Sequence, residues 1–369
     1  MSETASEVKL TPFNEYHLAM GAKMVPFAGY MMPIQYSGIT EEHLAVRKNV
    51  GLFDLSHMGE FFVSGPGALE FLQKMTTNDV SALDIGQIQY SCMCYENGGI
   101  VDDLLVYRLP DQYMLVVNAA NLQKDFDWLH SHKPGNVNLV NRSDDYGLLA
   151  IQGPNAQTVI SEMSDYDFES LPYYNVTTVK IGKYNVLLSR TGYTGEDGFE
   201  MYIPNEQCDD LWKMTMDAGK KHDMKLIGLG ARDSLRLEMK MTLYGNDIDQ
   251  TTTPIEAGLA WIVKPEKGDF IARDVLVRQK EDKPSRRLIC LEIEGRAFPR
   301  HGYELMHEGK VVGQVTSGTV SPSLGKPIAM GYLKRELTNL GNRVDVKIRD
   351  RLFGAVVVKP PFYKEGSHR

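Results

Sequence analysis

The sequence predicts an α+β protein, with a mixed region over 1–285 and an all-β module, read as a small barrel, over 286–369. Three observations carry the prediction. The order strand, helix, three strands, helix is read over 58–133 and again over 147–220, which suggests an internal repeat of two interlaced α+β subdomains. Past the charged stretch at 280–287 the pattern becomes short alternating strands separated by Gly and Pro turns. At 369 residues the chain is long for one core, so two or three packed units are expected.

Composition bounds the function. Hydrophobic residues make up 43% and charged residues 24%, as in ordinary globular proteins. A net charge of −8 argues against a nucleic acid or an anionic membrane surface as the main partner. No apolar run is long enough to span a bilayer. The segment Met1 to Glu7 is polar and acidic, unlike a secretory or transit peptide, so a cytoplasmic location is expected. Four cysteines do not make a disulfide framework in a chain of this length. Cys92 and Cys94, two apart on a strand, read as core. There is no His-Glu-x-x-His, and His130 and His132 do not face one another on their helix, so no metal is expected.

Taken in order, 23–33 is apolar but broken by Pro26, Gly29 and Pro33, and reads as short extended pieces. A helix follows over 40–49, with Thr40 as its N-cap, Glu41 and Glu42 in the first turn, Arg47 and Lys48 in the last, and Gly51 as terminator. Asp54, Ser56 and His57 lie close together, but triad members come from distant loops and no Gly-x-Ser-x-Gly elbow exists, so hydrolysis is set aside. Gly65-Pro66 and Gly153-Pro154 each open a helix with proline at its first position. The first copy continues with strands at 88–94, 101–107 and 113–117 and a helix at 121–132 holding Trp128. The second continues with strands at 176–181, 184–189 and 199–203 and a helix at 205–220 holding Trp212. Such a repeat would put the Asp102 region and the 192–200 loop at similar places in two facing halves, with a site between them. In the last module, strands are expected at 288–293, 302–306, 311–317 and 344–358, with a hairpin at 307–310.

The strand at 101–107 follows an Asn97-Gly98-Gly99 turn and carries two adjacent carboxylates, Asp102 and Asp103. Aspartate is disfavoured in strands because its short side chain competes for backbone hydrogen bonds and gains nothing on a buried pleat. Side chains alternate, so Asp102 shares a face with Ile100, Leu104 and Val106, and Asp103 with Val101, Leu105 and Tyr107. Both faces are apolar, which sets at least one carboxylate against a low-dielectric region or a cavity. In the competing reading the pair merely closes the turn in solvent.

The stretch 190–200 brings together Gly192, Gly195 and Gly198, the flat surface of Tyr193, and the carboxylates of Glu196, Asp197 and Glu200. It reads as a ligand loop or as a plain acidic hairpin. Gly228-Leu229-Gly230 opens a helix but lacks the third glycine of a dinucleotide fingerprint, Asp233 standing in its place. Arg232 and Arg236 lie four apart on that helix and repel by about 0.2–0.5 kcal/mol. They call for anions, either surface acids or a bound carboxylate or buried acid. Gly318 to Lys326 mimics a phosphate loop, but its spacing is too long and Pro327 stands where Ser or Thr is required.

In this order Phe53-Asp54-Leu55-Ser56-His57-Met58, Thr77-Asn78-Asp79-Val80, Gly99-Ile100-Val101-Asp102-Asp103-Leu104, Gly192-Tyr193-Thr194-Gly195-Glu196, Gly230 to Glu238 and Thr316 to Pro322 resemble the T-protein family of the glycine cleavage system, the folate-dependent aminomethyltransferases. The resemblance covers nearly the whole chain. It implies a three-domain cloverleaf with tetrahydrofolate, a co-substrate, in a central hole and a β-barrel as the last domain. It implies transfer of an aminomethyl group from the lipoyl arm of H protein to tetrahydrofolate, giving 5,10-methylenetetrahydrofolate and ammonia, with no metal or nucleotide. Asp102 matches the family's critical aspartate, to orient the folate amine, take its proton or, the favoured role, stabilise cationic character at the migrating carbon. Asp103, facing the other way, is then structural. Glu200 matches the pterin-binding glutamate with Tyr193 beside it, and Arg232 lies on the pterin or holds Glu200. Tyr90 and Asn118 flank the cavity, and the tail ending in Arg369 approaches folate. The alternatives are a folate-dependent demethylase on the same scaffold and a non-enzymatic folate-binding assembly factor.

Overall fold

The computed structural model describes residues 8–368. Two sheets form its centre. One runs Ile88–Cys94, Ile100–Arg108, Tyr113–Val117, Gly59–Ser64, Asn138–Asn141, and the other Asn175–Ile181, Tyr184–Arg190, Gly198–Pro204, Tyr146–Gln152, Gly51–Asp54, Lys225–Leu226. The first four places of the two sheets follow the same chain order. The fifth place of the second sheet is filled by Gly51–Asp54, which precedes the first unit, so the units are interlaced.

The central strands sort their side chains between two apolar layers. Leu104 and Val106 face outward onto helices Ala68–Met75 and Leu122–His132, in a core with Phe71, Leu72 and Leu129. Phe199, Met201 and Ile203 pack outward against helices Ala156–Ser161 and Cys208–Lys220. The inner faces meet in a third core, where Phe62, Tyr107 and Met114 of one sheet face Phe53, Leu148 and Tyr202 of the other. The Tyr107 and Tyr202 hydroxyls bond to each other at 2.7 Å. Each fully buried side chain of this size contributes about 1.5–3 kcal/mol, so the three layers hold the sheets in a fixed relation.

The Gly-Pro turns act alike in both units but not as read from sequence. Helices Ala68–Met75 and Ala156–Ser161 start two residues after Pro66 and Pro154, because the prolines sit inside a turn closed by Ala68 N–H to Gly65 C=O at 3.1 Å and Ala156 N–H to Gly153 C=O at 2.9 Å. Both glycines have positive φ, 101° and 135°, and a Cβ on Gly153 would come 2.4 Å from the Asn49 carbonyl oxygen. Helix Ile39–Lys48 likewise begins before Thr40, with Gly38 as N-cap. Buried Glu42 satisfies that end by accepting the Gly38 and Tyr36 backbone N–H groups at 3.0 and 2.6 Å.

From Arg286 the chain closes a six-stranded barrel in the order Arg286–Ile293, Pro327–Lys334, Lys310–Val320, Glu304–His307, Arg343–Ile348, Arg351–Val358. The stretch expected as one strand over 344–358 is a hairpin turning at Arg349, whose φ is 55°. The stretch Gly318 to Lys326 is no phosphate loop: its first three residues end strand Lys310–Val320, and the rest is the turn into strand Pro327–Lys334. Helix Leu229–Glu238 joins body and barrel. Among the described residues, no helix is long and apolar enough to cross a membrane.

Candidate active site

Between the inner sheet faces and the barrel lies a cavity of about 730 Å³. The same alternation that builds the core decides which side chains reach it. Glu200 sits between Phe199 and Met201, which face outward, so its carboxylate points inward with Tyr202. Asp103 sits between Asp102 and Leu104, so it points inward with Tyr107. Both acids line the cavity, together with Tyr90, Asn118, Tyr193 and Arg232.

Asp102 does not line it. Its side chain faces the helix layer and is fully buried. The assignment of the cavity-facing role to Asp102, and of a merely structural one to Asp103, is therefore corrected: the two do face oppositely, but the helices cover the Asp102 side. The expected correspondence of the Asp102 region with the 192–200 loop is also corrected. Asp102 lies near the start of the second strand of its unit, whereas Gly192 follows the end of the equivalent strand Tyr184–Arg190. The two segments reach the cavity from non-equivalent positions. Arg369 lies outside the described residues.

Around Asp103 the hydrogen bonds are dense. The Tyr90 hydroxyl donates to Asp103 Oδ2 at 2.8 Å. Asn118 Nδ2 donates to Asp103 Oδ1 at 2.8 Å and to Asp102 Oδ1 at 2.9 Å, so one amide group links the two carboxylates. Asp102 also accepts the Asn118 backbone N–H at 3.1 Å and Asn121 Nδ2 at 2.6 Å. Burial, then the Asp102 charge, push the Asp103 carboxyl up to about 7, against the pull of Tyr90 and Asn118. Tyr90 stacks on Trp261, a largely exposed indole at the cavity rim, with ring centroids 5.9 Å apart.

At the other wall, Thr191 Oγ1 donates to Glu200 Oε2 at 2.6 Å. Burial raises the Glu200 pKa, while Thr191 and the Arg232 charge oppose it. The Arg232 guanidinium lies 4.9 Å from the Tyr193 ring centroid, and the Tyr193 hydroxyl donates to the Thr242 carbonyl. The Arg232 pKa is lowered, chiefly by burial. Next to this wall His57 is buried with Nδ1 unpartnered among the described residues, and burial and the Arg232 charge hold it down to about 3, as a neutral imidazole. On the barrel side Lys240, Arg287 and Lys359 line the cavity. Among the described residues, no group of three or more His, Cys, Asp or Glu side chains is placed to hold a metal ion.

Arg236, the other arginine of the helix, points away from the ligand space. It binds Asp233 Oδ1 at 2.7 Å, Asp247 Oδ2 at 2.5 Å and Ser317 Oγ at 2.8 Å. Asp103, Thr191, Thr242 and Trp261 were not singled out from sequence as site residues. For Asp103 the missing signal was which face of its strand the helices would cover.

Comparison with known proteins gives this cavity a context. The family model described as the GCVT N-terminal domain matches residues 13–267, and the glycine cleavage T-protein C-terminal barrel domain matches 286–364. The chain belongs to the glycine cleavage T-protein family. An aminomethyltransferase of Bacteroides thetaiotaomicron is 52% identical over 97% of this chain and 100% of its own length. One of Halothermothrix orenii is 47% identical over 96% of this chain and 100% of its own length. The crystal structure of glycine cleavage system aminomethyltransferase T from Bartonella henselae superposes with a TM-score of 0.92 at 36% identity, covering 98% of this chain and all of that one. Both family domains lie on this one chain, and the superposition spans body and barrel together.

Proposed function

We propose that this T protein transfers an aminomethyl group from the lipoyl arm of H protein to tetrahydrofolate, in the cavity between the two sheets and the barrel. The carbon leaves sulfur and becomes bonded to N5 and N10 of the folate. Its nitrogen departs as ammonia and the thiol regains a proton. The observation that carries this reading is that Asp103 and Glu200, one from each sheet, project from the inner faces into the same cavity, which Tyr90, Asn118 and Arg232 also line.

Each wall has its own task. Glu200, steadied by Thr191 and Arg232, offers a carboxylate to the paired N–H donors of a pterin, a charge-assisted contact that orients the ring. Tyr193, backed by Arg232, supplies a flat surface for it. Asp103 is the fixed anion beside the migrating carbon, where cationic character develops during transfer. Tyr90 and Asn118 hold that anion in place, so little reorganisation accompanies the reaction. Lys240, Arg287 and Lys359 suit the carboxylates at the far end of a folate, and Arg369 belongs to the same reading. A cytoplasmic setting accompanies it: the four cysteines are buried free thiols, which suits a reducing compartment.

The test mixes the protein, aminomethyl-loaded lipoylated H protein and tetrahydrofolate, and measures ammonia. Folate-dependent release is expected. Folate binding without ammonia release would leave a demethylase or a non-catalytic folate-binding factor instead.

A further inference from the structure

Behind the Asp103 wall lies a third carboxyl group that the proposed transfer does not use. Asp125 stands in the first turn of helix Leu122–His132 and is fully buried. Among the described residues, neither of its carboxylate oxygens accepts a hydrogen bond from an N–H or O–H group. The Lys124 ammonium is 3.9 Å from Oδ1, but its short bond goes to the Val101 carbonyl at 2.5 Å, and it lies 4.0 Å from the Tyr244 ring centroid. Asp125 lies one turn beyond Asn121, whose Nδ2 bonds Asp102 Oδ1 at 2.6 Å, so the buried Asp125 carboxyl is set beside that of Asp102.

Two carboxylates set side by side, both without solvent, do not both ionise. One proton stays between them, and the donors around the pair decide where. Asp102 accepts three N–H bonds, two from Asn118 and one from Asn121. Asp125 accepts none. Hydrogen bonds from N–H groups stabilise the anion, so the charge belongs on Asp102 and the proton on Asp125. The start of a helix favours a negative Asp125 by about 0.3–1 kcal/mol. That is less than one pH unit, while burial and a like charge each shift a carboxyl by more. Accordingly Asp125 is held well above the usual carboxylate range, by burial and by the Asp102 charge.

We propose that Asp125 is a positioning residue: a neutral acid that donates its proton to Asp102, so that Asp102 keeps the Asn118 amide aimed at Asp103. The two hydrogens on Asn118 Nδ2 are shared among Asp102 Oδ1, Asp103 Oδ1 and the Asp103 carbonyl, so rotation of Asp102 would free one of them and loosen the aim of the amide at the Asp103 carboxylate. The groups facing this pair are Lys124 on its own helix, Asp103 beside Asp102, Cys92 on the neighbouring strand, and the phenols of Tyr95 and Tyr244. Only Lys124 among them is a cation, and it offsets one of the two remaining negative charges.

The test has an arm that needs no activity. With aspartate carboxyls labelled with carbon-13 in the wild-type protein, one resonance stays at the protonated-acid position while the pH is raised through neutrality, and it is absent from D125N. Restricting the label to aspartate keeps Glu60 and Glu200 out of the spectrum. The kinetic arm rests on the proposed transfer. D125N, whose amide still donates to Asp102, keeps kcat within about threefold and leaves the acid limb of the rate profile in place. D125L, which donates nothing, lowers kcat by up to about 100-fold, the scale of a misplaced catalytic group. The proposal is overturned if no wild-type aspartate stays protonated, if the resonance persists in D125N, or if D125N moves the acid limb as removal of a charge would. The resonance in an inactive protein would sink the transfer reading instead, leaving the buried proton intact.

Discussion

Asp103 and Asp102 share a single amide group, that of Asn118, yet only Asp103 reaches the cavity. Their amide variants should therefore fail differently. Asp103→Asn removes the anion itself and is expected to lower kcat by at least about 100-fold with folate affinity changed only a few-fold, the pattern of an interaction made in the transition state. Asp102→Asn is expected to lower kcat less, through looser aim. Turnover and folate Kd for both variants check this, and a larger kcat loss in Asp102→Asn would return the catalytic role to that residue. The pH dependence follows from the carboxyl of about 7. If the anion is the working form, kcat/KM rises as pH climbs through 7. The folded pKa is raised above the unfolded one, so this group's stabilisation is present below about pH 4 and lost as pH rises through 7. Asp103→Asn should accordingly narrow the gap between melting temperatures measured at pH 5 and pH 8.

Helix Leu229–Glu238 carries the most heavily bonded acid of the molecule's inner joints. Glu238 accepts from Arg47 Nη2 at 3.0 Å, His43 Nε2 at 3.1 Å and Ser323 Oγ at 2.8 Å, and from the Ser321 hydroxyl. Burial would raise its pKa, but the His43 and Ser321 bonds and the Arg47 charge bring it down to about 2. Glu238→Ala leaves Arg47 buried and short of a partner, and is expected to destabilise by about 3–5 kcal/mol. A depressed carboxyl stabilises above its unfolded pKa and loses that contribution as pH falls through 2. The wild type should thus lose stability on acidification and the variant less so, as denaturant titrations at pH 7 and pH 3 would show. At this scale the sequence was partly readable. Strand 198–204 announces its faces, because Phe199, Met201 and Ile203 alternate with one acid. Strand 100–108 does not, since Leu104 and Val106 on one face and Leu105 and Tyr107 on the other are equally apolar. Which side the helices cover is a tertiary fact, and it decides between two adjacent aspartates. Helix starts were displaced for a local reason: Pro66 and Pro154 are spent in turns, and Gly38 rather than Thr40 takes the cap.

Body and barrel meet through polar bonds that neither side can satisfy alone, so the molecule is expected to unfold as one cooperative unit. Arg236, nearly free of solvent, reaches Asp247 of the body and Ser317 of the barrel. Asp247 in turn accepts from Thr316 Oγ1 at 2.5 Å and, through its carbonyl, from the Tyr332 hydroxyl at 2.9 Å. Ser321 and Ser323 supply two of the donors to Glu238. An apolar seam runs beside them, in which Leu237 of the body packs with Leu288, Cys290, Ile328 and Met330 of the barrel. Removing residues 286–369 would expose that seam, open the cavity on the side of Arg287 and Lys359, and strip buried Arg236, Asp247 and Glu238 of partners. Each unsatisfied buried group costs about 1–3 kcal/mol or more, and domain stability totals only about 5–15 kcal/mol. The truncated chain 1–285 is therefore expected to lack a cooperative thermal transition, and the full chain to melt in a single step followed identically by far-ultraviolet circular dichroism and by tryptophan fluorescence. A truncated body that melts sharply and still binds folate would show instead that the barrel is an appended cap, and that the cavity is built by the two sheets alone.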